Sequence, residues 1–142
     1  MWQAGDLQPV VNEYRAGVYA FNDRNTVSAG ASALDEVALT VAATVVSRRN
    51  GHAILDAGSK ALSSDSGTEG GFGLVLEAPA STLERLDEEH AYLTLADGDE
   101  LALGQQVRIV PNHACVVTNL FEELVGIRGD AVELRWPVAR GR

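Results

Sequence analysis

The feature that most constrains this chain is the rhythm of its apolar residues. They come in short runs, each closed by Gly, Asn or Asp, and helical signals are few. The runs at residues 18–21, 38–46, 53–55, 73–77, 90–95, 107–110, 115–120 and 132–136 are rich in Val, Ile, Leu, Thr and Tyr, which pack well on a pleated surface. Between them lie turn signals: Asn22-Asp23, Arg49-Asn50-Gly51, Asp56-Ala57-Gly58, Asp97-Gly98-Asp99, Pro111-Asn112 and Arg128-Gly129-Asp130. Such spacing predicts a mainly β, single-domain protein, an antiparallel β-barrel or sandwich with one or two short helices. The helix candidates are residues 26–33 and residues 82–88, the latter capped by Ser81 or Thr82. The stretch Ser63-Ser64-Asp65-Ser66-Gly67-Thr68-Glu69-Gly70-Gly71 reads as a mobile loop.

With 142 residues, 46% hydrophobic and 22% charged, the chain can build one core. No apolar window is long enough to span a membrane. The net charge of −9 sets up a field that repels phosphate, so nucleic acid is not an expected partner. One cysteine excludes an intrachain disulfide and fits a reducing compartment. Residues 1–6 lack the charged start and apolar stretch of a secretory leader. These points together predict a cytoplasmic protein.

Candidate chemistry gathers at three places. In Val110-Pro111-Asn112-His113-Ala114-Cys115, His113 and Cys115 are two apart. On a strand such residues share a face, and imidazole and thiolate are both good zinc ligands. Two protein donors leave positions open for water or substrate. The bland alternative is a buried cysteine beside a surface histidine. Lys60 is the only lysine and sits in Asp56-Ala57-Gly58-Ser59-Lys60-Ala61-Leu62-Ser63. It reads as a Schiff-base nucleophile, an anion contact or simply a solvated loop lysine that Asp56 could pair with. Tyr19, on a strand with Phe21 and followed by Asn22 and Asp23, can reach a ligand or pack as a core aromatic. Glu69-Gly70-Gly71-Phe72-Gly73 lacks both the P-loop lysine and the dinucleotide spacing, and no nucleophile elbow supports a hydrolase.

Taken in order, Tyr19-Ala20-Phe21-Asn22-Asp23, Leu39-Thr40-Val41-Ala42-Ala43-Thr44-Val45-Val46-Ser47, Leu55 to Ser63, Glu88-Glu89-His90, Val110 to Cys115 and Arg135-Trp136-Pro137-Val138-Ala139-Arg140-Gly141-Arg142 make a specific set. Over residues 14–142 the chain resembles the C-terminal domain of the D-serine dehydratase and D-threonine aldolase family. The resemblance implies a β-rich domain attached to an alanine-racemase-like barrel that binds pyridoxal phosphate. It also implies a divalent metal held by a His-x-Cys pair in dehydratases or a His-x-Asp pair in aldolases. His113 and Cys115 match the dehydratase form, which suggests zinc, with manganese as the other choice. The implied substrate is a small D-hydroxy amino acid whose β-hydroxyl the metal holds. Tyr19, Asn22 and Lys60 fall in family blocks and are expected near substrate or cofactor; no catalytic residue is assigned. Residues 1–142 read as this domain without the barrel, so pyridoxal phosphate is expected only through a partner barrel. The domain alone is expected to lack lyase activity and to self-associate, most simply as a homodimer. The other reading is a stand-alone, non-catalytic binding or assembly module derived from the same domain.

Overall fold

Six antiparallel strands wrap into a nearly closed barrel in the order β3-β6-β1-β2-β5-β4. The strands are β1 (Val41–Arg49), β2 (His52–Leu55), β3 (Leu74–Val75), β4 (Thr82–Leu86), β5 (Ala91–Thr94) and β6 (Gln106–Val110). A separate two-stranded ribbon follows, β7 (Glu123–Arg128) and β8 (Ala131–Pro137). Three short helices complete the set among the described residues: α1 (Arg24–Ser28), α2 (Ser59–Leu62) and α3 (Ala114–Thr118). The structure is a computed structural model describing residues 13, 15 and 17–140; the leader reading of residues 1–6, Tyr14 and the terminal Arg142 lie outside them.

Alternation drives the barrel. Val41, Ala43 and Val45 of β1 point inward and are buried, as are Ala53 and Leu55 of β2 and Val107 and Ile109 of β6. They meet Val75, Leu83, Ala91 and Leu93 in one core. The β1–β2 hairpin turns on Asn50 and Gly51, both at positive φ (51° and 76°), the backbone that a two-residue hairpin favours. The two end strands of the order are joined by Phe72, whose N–H donates to the Leu83 carbonyl at 3.0 Å.

Three expectations from the sequence are overturned. Residues 18–21 are not a strand: Val18–Ala20 form a 3₁₀ turn, with the Phe21 and Asn22 N–H groups both donating to the Val18 carbonyl. Residues 82–88 are not a helix but β4, because a bulge between Leu83 and Arg85 restores the phase. Leu83 and Leu86, three apart as on a helix face, thereby both pack on the core. Residues 115–120 are not a strand but enter α3, whose buried Ala114 and Val117 are spaced for a helix. Its first turn is held from outside by the Asp23 carboxylate, which accepts the Ala114 N–H at 2.9 Å. Residues 26–33 contribute a helix that starts earlier, at Arg24, because Asp23 and Thr26 form a reciprocal capping box.

The antiparallel order has a geometric consequence. β1, β5 and β3 begin, and β2, β4 and β6 end, at one end of the barrel. Residues 38–40, 56–73, 87–90 and 111–113 therefore all emerge there. Lys60 and His113 lie in these segments, and Arg24 and Asn25 are hydrogen-bonded to Pro111 and Asn112 there.

Candidate functional site

The site is built where β6 runs out. Pro111 and Asn112 are buried behind Val110, and the chain turns so that His113 becomes the N-cap of α3 in extended backbone (φ −139°, ψ 99°). Two segments converge on this corner. The first is residues 23–25: the Arg24 N–H donates to the Pro111 carbonyl at 3.0 Å and the Asn25 N–H to the Asn112 carbonyl at 3.4 Å. Asp23, only 2% exposed, holds both helix starts, accepting from Thr26 N–H with one oxygen and from Ala114 N–H with the other, each at 2.9 Å.

The second segment is the Ser/Gly-rich stretch, which is not the mobile loop its composition suggests. Asn112, 1% exposed, donates through Nδ2 to the carbonyls of Asp65 (2.8 Å) and Gly71 (2.9 Å). Arg24 donates to the Gly70 carbonyl at 2.6 Å and to Asn112 Oδ1 at 3.4 Å, and lies 3.7 Å from the Glu69 carboxylate. Gly67 is a steric requirement, since a Cβ there would sit 2.9 Å from Asn112 Oδ1. A buried carboxamide satisfied this fully fixes the loop to the end of β6. The fixed loop delivers Asp65, whose Oδ2 lies 2.9 Å from His113 Nδ1.

The first segment and the residues that flank it also line an open groove of about 280 Å³ beside His113, formed by Val18, Asp23, Asn25, Thr26, Ala29 and Ala31. Asn25 Oδ1 is buried with no hydrogen-bond partner among the described residues. The His113 side chain is 43% exposed, and Cys115, in the first turn of α3, carries an exposed free thiol. The shared strand face expected to bring them together is absent, because His113 is the N-cap of α3 and Cys115 lies inside the helix. Both donors are nevertheless open to solvent, as binding an exogenous ligand requires. Among the described residues no group of three or more His, Cys, Asp or Glu is placed to hold a metal ion.

Tyr19 and Asn22 belong to the turn that borders the groove at Val18. Tyr19 is 71% exposed, so it is neither a core aromatic nor a strand neighbour of Phe21. Asn22 has positive φ (53°), and its Nδ2 donates to the Glu36 carbonyl at 3.1 Å. Lys60 sits on the opposite flank. Its partner is Glu89, at 2.7 Å, and not Asp56, whose carboxylate accepts the Thr44 N–H. The hydrogen bond and charge of Glu89 hold the Lys60 ammonium above the usual lysine range. Sequence reading missed Asp23, Arg24, Asn25 and Asp65, although the Asp23-x-x-Thr26 spacing is a legible capping box.

A small antiparallel barrel thus carries, at the polar corner where β6 ends, an exposed histidine and an exposed cysteine two residues apart. The chain belongs to the family described as "Putative serine dehydratase domain", whose model matches residues 38–127. It is 37% identical over 128 residues to an uncharacterized protein of Mycobacterium tuberculosis, covering 84% of this chain and 96% of that relative. It is 36% identical over 150 residues to D-threo-3-hydroxyaspartate dehydratase of a Delftia species, covering 92% of this chain but 40% of the enzyme. The solved structure of that dehydratase superposes with a TM-score of 0.79 over 90% of this chain and 39% of its own, at 35% identity. D-threonine aldolase of Filomicrobium marinum superposes with a TM-score of 0.73 at 34% identity, covering 88% of this chain and 35% of its own. The chain thus spans about two fifths of the enzymes it matches and nearly all of the mycobacterial relative. Two further structures of the Delftia enzyme are alanine mutants, one at a histidine and one at a cysteine two positions later, the cysteine mutant in a metal-free form.

Proposed function

We propose that this chain is the metal-bearing β domain of a pyridoxal-phosphate-dependent D-hydroxy amino acid lyase of dehydratase or aldolase type. The observation that carries the reading is the exposed His113-x-Cys115 pair at the end of β6, with the residue types and spacing altered in the Delftia dehydratase mutants. The donor set fits a divalent cation such as zinc, with manganese as the second choice. His113 and Cys115 would hold it, and the remaining positions fall to water, to substrate or to a partner. Bound there, such an ion supplies Lewis-acid polarisation of a substrate β-hydroxyl. The chain's own residues prepare the place: Asp23 fixes the start of α3, Asn112 fixes the opposing loop, and a groove lies open beside His113. Tyr19 and Asn22, on the groove's bordering turn, are proposed to approach that substrate.

Lys60 is not assigned as a Schiff-base lysine, because Glu89 favours its protonated form and an ammonium has no lone pair for attack. Pyridoxal phosphate belongs to a partner barrel, and the alanine-racemase-like protein of Idiomarina loihiensis, matched over 34% of its length at a TM-score of 0.73, is the model for one. Zinc binding is the test. Wild type is expected to bind the ion in equilibrium dialysis, and His113→Ala and Cys115→Ala to lose most of that affinity. Equal affinity in all three would overturn the assignment. Pyridoxal phosphate added to the chain alone is expected to give no Schiff-base absorbance; a Lys60-dependent band would reverse the lysine assignment.

The stand-alone binding or assembly module is the second reading, favoured by the mycobacterial relative of nearly matching length. Co-expression with an alanine-racemase-like barrel separates the two, since only the enzyme reading expects D-hydroxy amino acid lyase activity to appear. Both readings include a homodimer in a reducing, cytoplasmic setting. Ile127, Val132, Leu134 and Trp136 of the β7–β8 ribbon, each about half exposed or more, offer an apolar surface for it. Sedimentation showing only monomer at high concentration would remove the dimer.

A further inference from the structure

We infer that Asp65 is the positioning residue of the His113 site: it accepts a hydrogen bond from Nδ1–H and so leaves Nε2 as the ring's ligating nitrogen. The inference rests on the proposed metal role of His113 and goes beyond it to a residue on a different loop. An imidazole has two nitrogens, and when neutral only one carries a lone pair. The acceptor at the other nitrogen decides which. Asp65 Oδ2 is 2.9 Å from Nδ1, so the proton is drawn there and Nε2 is left free.

An exposed His–Asp contact would by itself mean little. This one is distinguished by how much structure is committed to placing Asp65. Its carbonyl accepts from the buried Asn112 Nδ2 at 2.8 Å, and its N–H donates to Ser63 Oγ at 3.2 Å. Ser63 is itself buried and held at φ +64°, a left-handed conformation that a non-glycine residue adopts only when its surroundings impose it. Asn112 is the immediate neighbour of His113. The residue that fixes the acceptor, Asn112, and the residue that donates to it, His113, are thus adjacent in the chain, so donor and acceptor move together. Ring-orienting carboxylates of this kind typically contribute about 10- to 100-fold to metal affinity.

The test uses the full chain with cobalt(II) as probe, followed by optical titration, together with two-bond ¹H–¹⁵N spectra of the metal-free protein. Wild type is expected to show the Nδ1–H tautomer of His113. Asp65→Ala is expected to shift His113 toward the Nε2–H tautomer and to weaken cobalt binding by about 10-fold or more, with an unchanged far-ultraviolet spectrum. Should the alanine variant fail to fold, Asp65→Asn, which keeps the volume but loses the charge, is expected to weaken binding toward the lower end of that range. Unchanged tautomer and affinity in a folded Asp65 variant would overturn the inference while leaving the metal reading intact. Absence of cobalt binding in wild type would overturn the metal reading, and the tautomer spectra alone would then decide what Asp65 does.

Discussion

Lys60 and His113 leave the barrel at the same end, each touches a carboxylate, and they are built in opposite ways. Lys60 meets Glu89 across solvent, both side chains being 65% exposed, and among the described residues neither side chain makes a second hydrogen bond. His113 meets Asp65 in front of Asn112 and Asp23, two polar side chains with almost no exposure, whose hydrogen bonds run to backbone on three segments. The first arrangement is a surface ion pair, which constrains little. The second is a scaffold that keeps a partly exposed ring in one place, as a binding site requires. The contrast separates two residues that the sequence alone offers on equal terms.

The largest expected effect comes from removing the scaffold's centre. Asn112→Ala strips donors from the Asp65 and Gly71 carbonyls and empties a packed position. It is expected to cost on the order of 2–3 kcal/mol of stability, read from urea unfolding midpoints at constant slope. A loss no larger than that of a surface substitution would mean that the loop does not depend on this carboxamide, and the contrast would collapse.

The Lys60 flank has a structural residue too, but it is a glycine. A Cβ on Gly58 would lie 2.3 Å from the Asp87 carbonyl oxygen, because the β4–β5 turn approaches closely: the Asp87 carbonyl accepts the Ser59 N–H at 2.8 Å and the Glu88 carbonyl accepts the Lys60 N–H at 3.1 Å. Gly58→Ala is expected to destabilise by about 1–3 kcal/mol, because the turn must move to make room. Wild-type stability for this variant would show that the turn gives way easily. Asp23→Ala follows. It removes the caps of α1 and α3 together and is expected to lower stability by about 1–2 kcal/mol, measured in the same way.

How far the sequence speaks for itself follows from the same physics. β2, β6 and β8 are legible because each places apolar or β-branched residues between clear turn signals, and Asn50-Gly51 marks its hairpin without help. β4 is not legible, because a bulge lets helix-like Leu83-x-x-Leu86 spacing serve a strand. α3 is hidden because its Val116-Val117-Thr118 run favours strands locally, while the contact that starts the helix comes from Asp23 on a distant segment. β7 is masked by Gly126, which is required because the Trp136 ring covers it: a Cβ would meet that ring at 2.6 Å. Within the site, His113 and Cys115 are visible as ligand types. Asp65 is not, since nothing local distinguishes a clamped loop from a loose one when its clamps, Asn112 and Arg24, lie 47 and 46 residues from their partners in sequence.

The smallest expected effect tests the exposed half of the contrast. Glu89 raises the Lys60 ammonium above its usual value of 10.5, first through their hydrogen bond and then through its charge. A basic group whose folded value is raised adds its stabilisation fully below the unfolded value and loses it as pH climbs through the folded value. The contribution of the pair is therefore constant around neutrality, and on the alkaline side it disappears only in strong alkali. Lys60→Met is expected to leave the unfolding midpoint within scatter of wild type from about pH 6 to about pH 9, with any small difference removed by added salt. A loss rivalling that of Asn112→Ala, or one that varied across this window, would show that Lys60 is tied into the fold through contacts other than Glu89, and the two flanks would no longer be opposites.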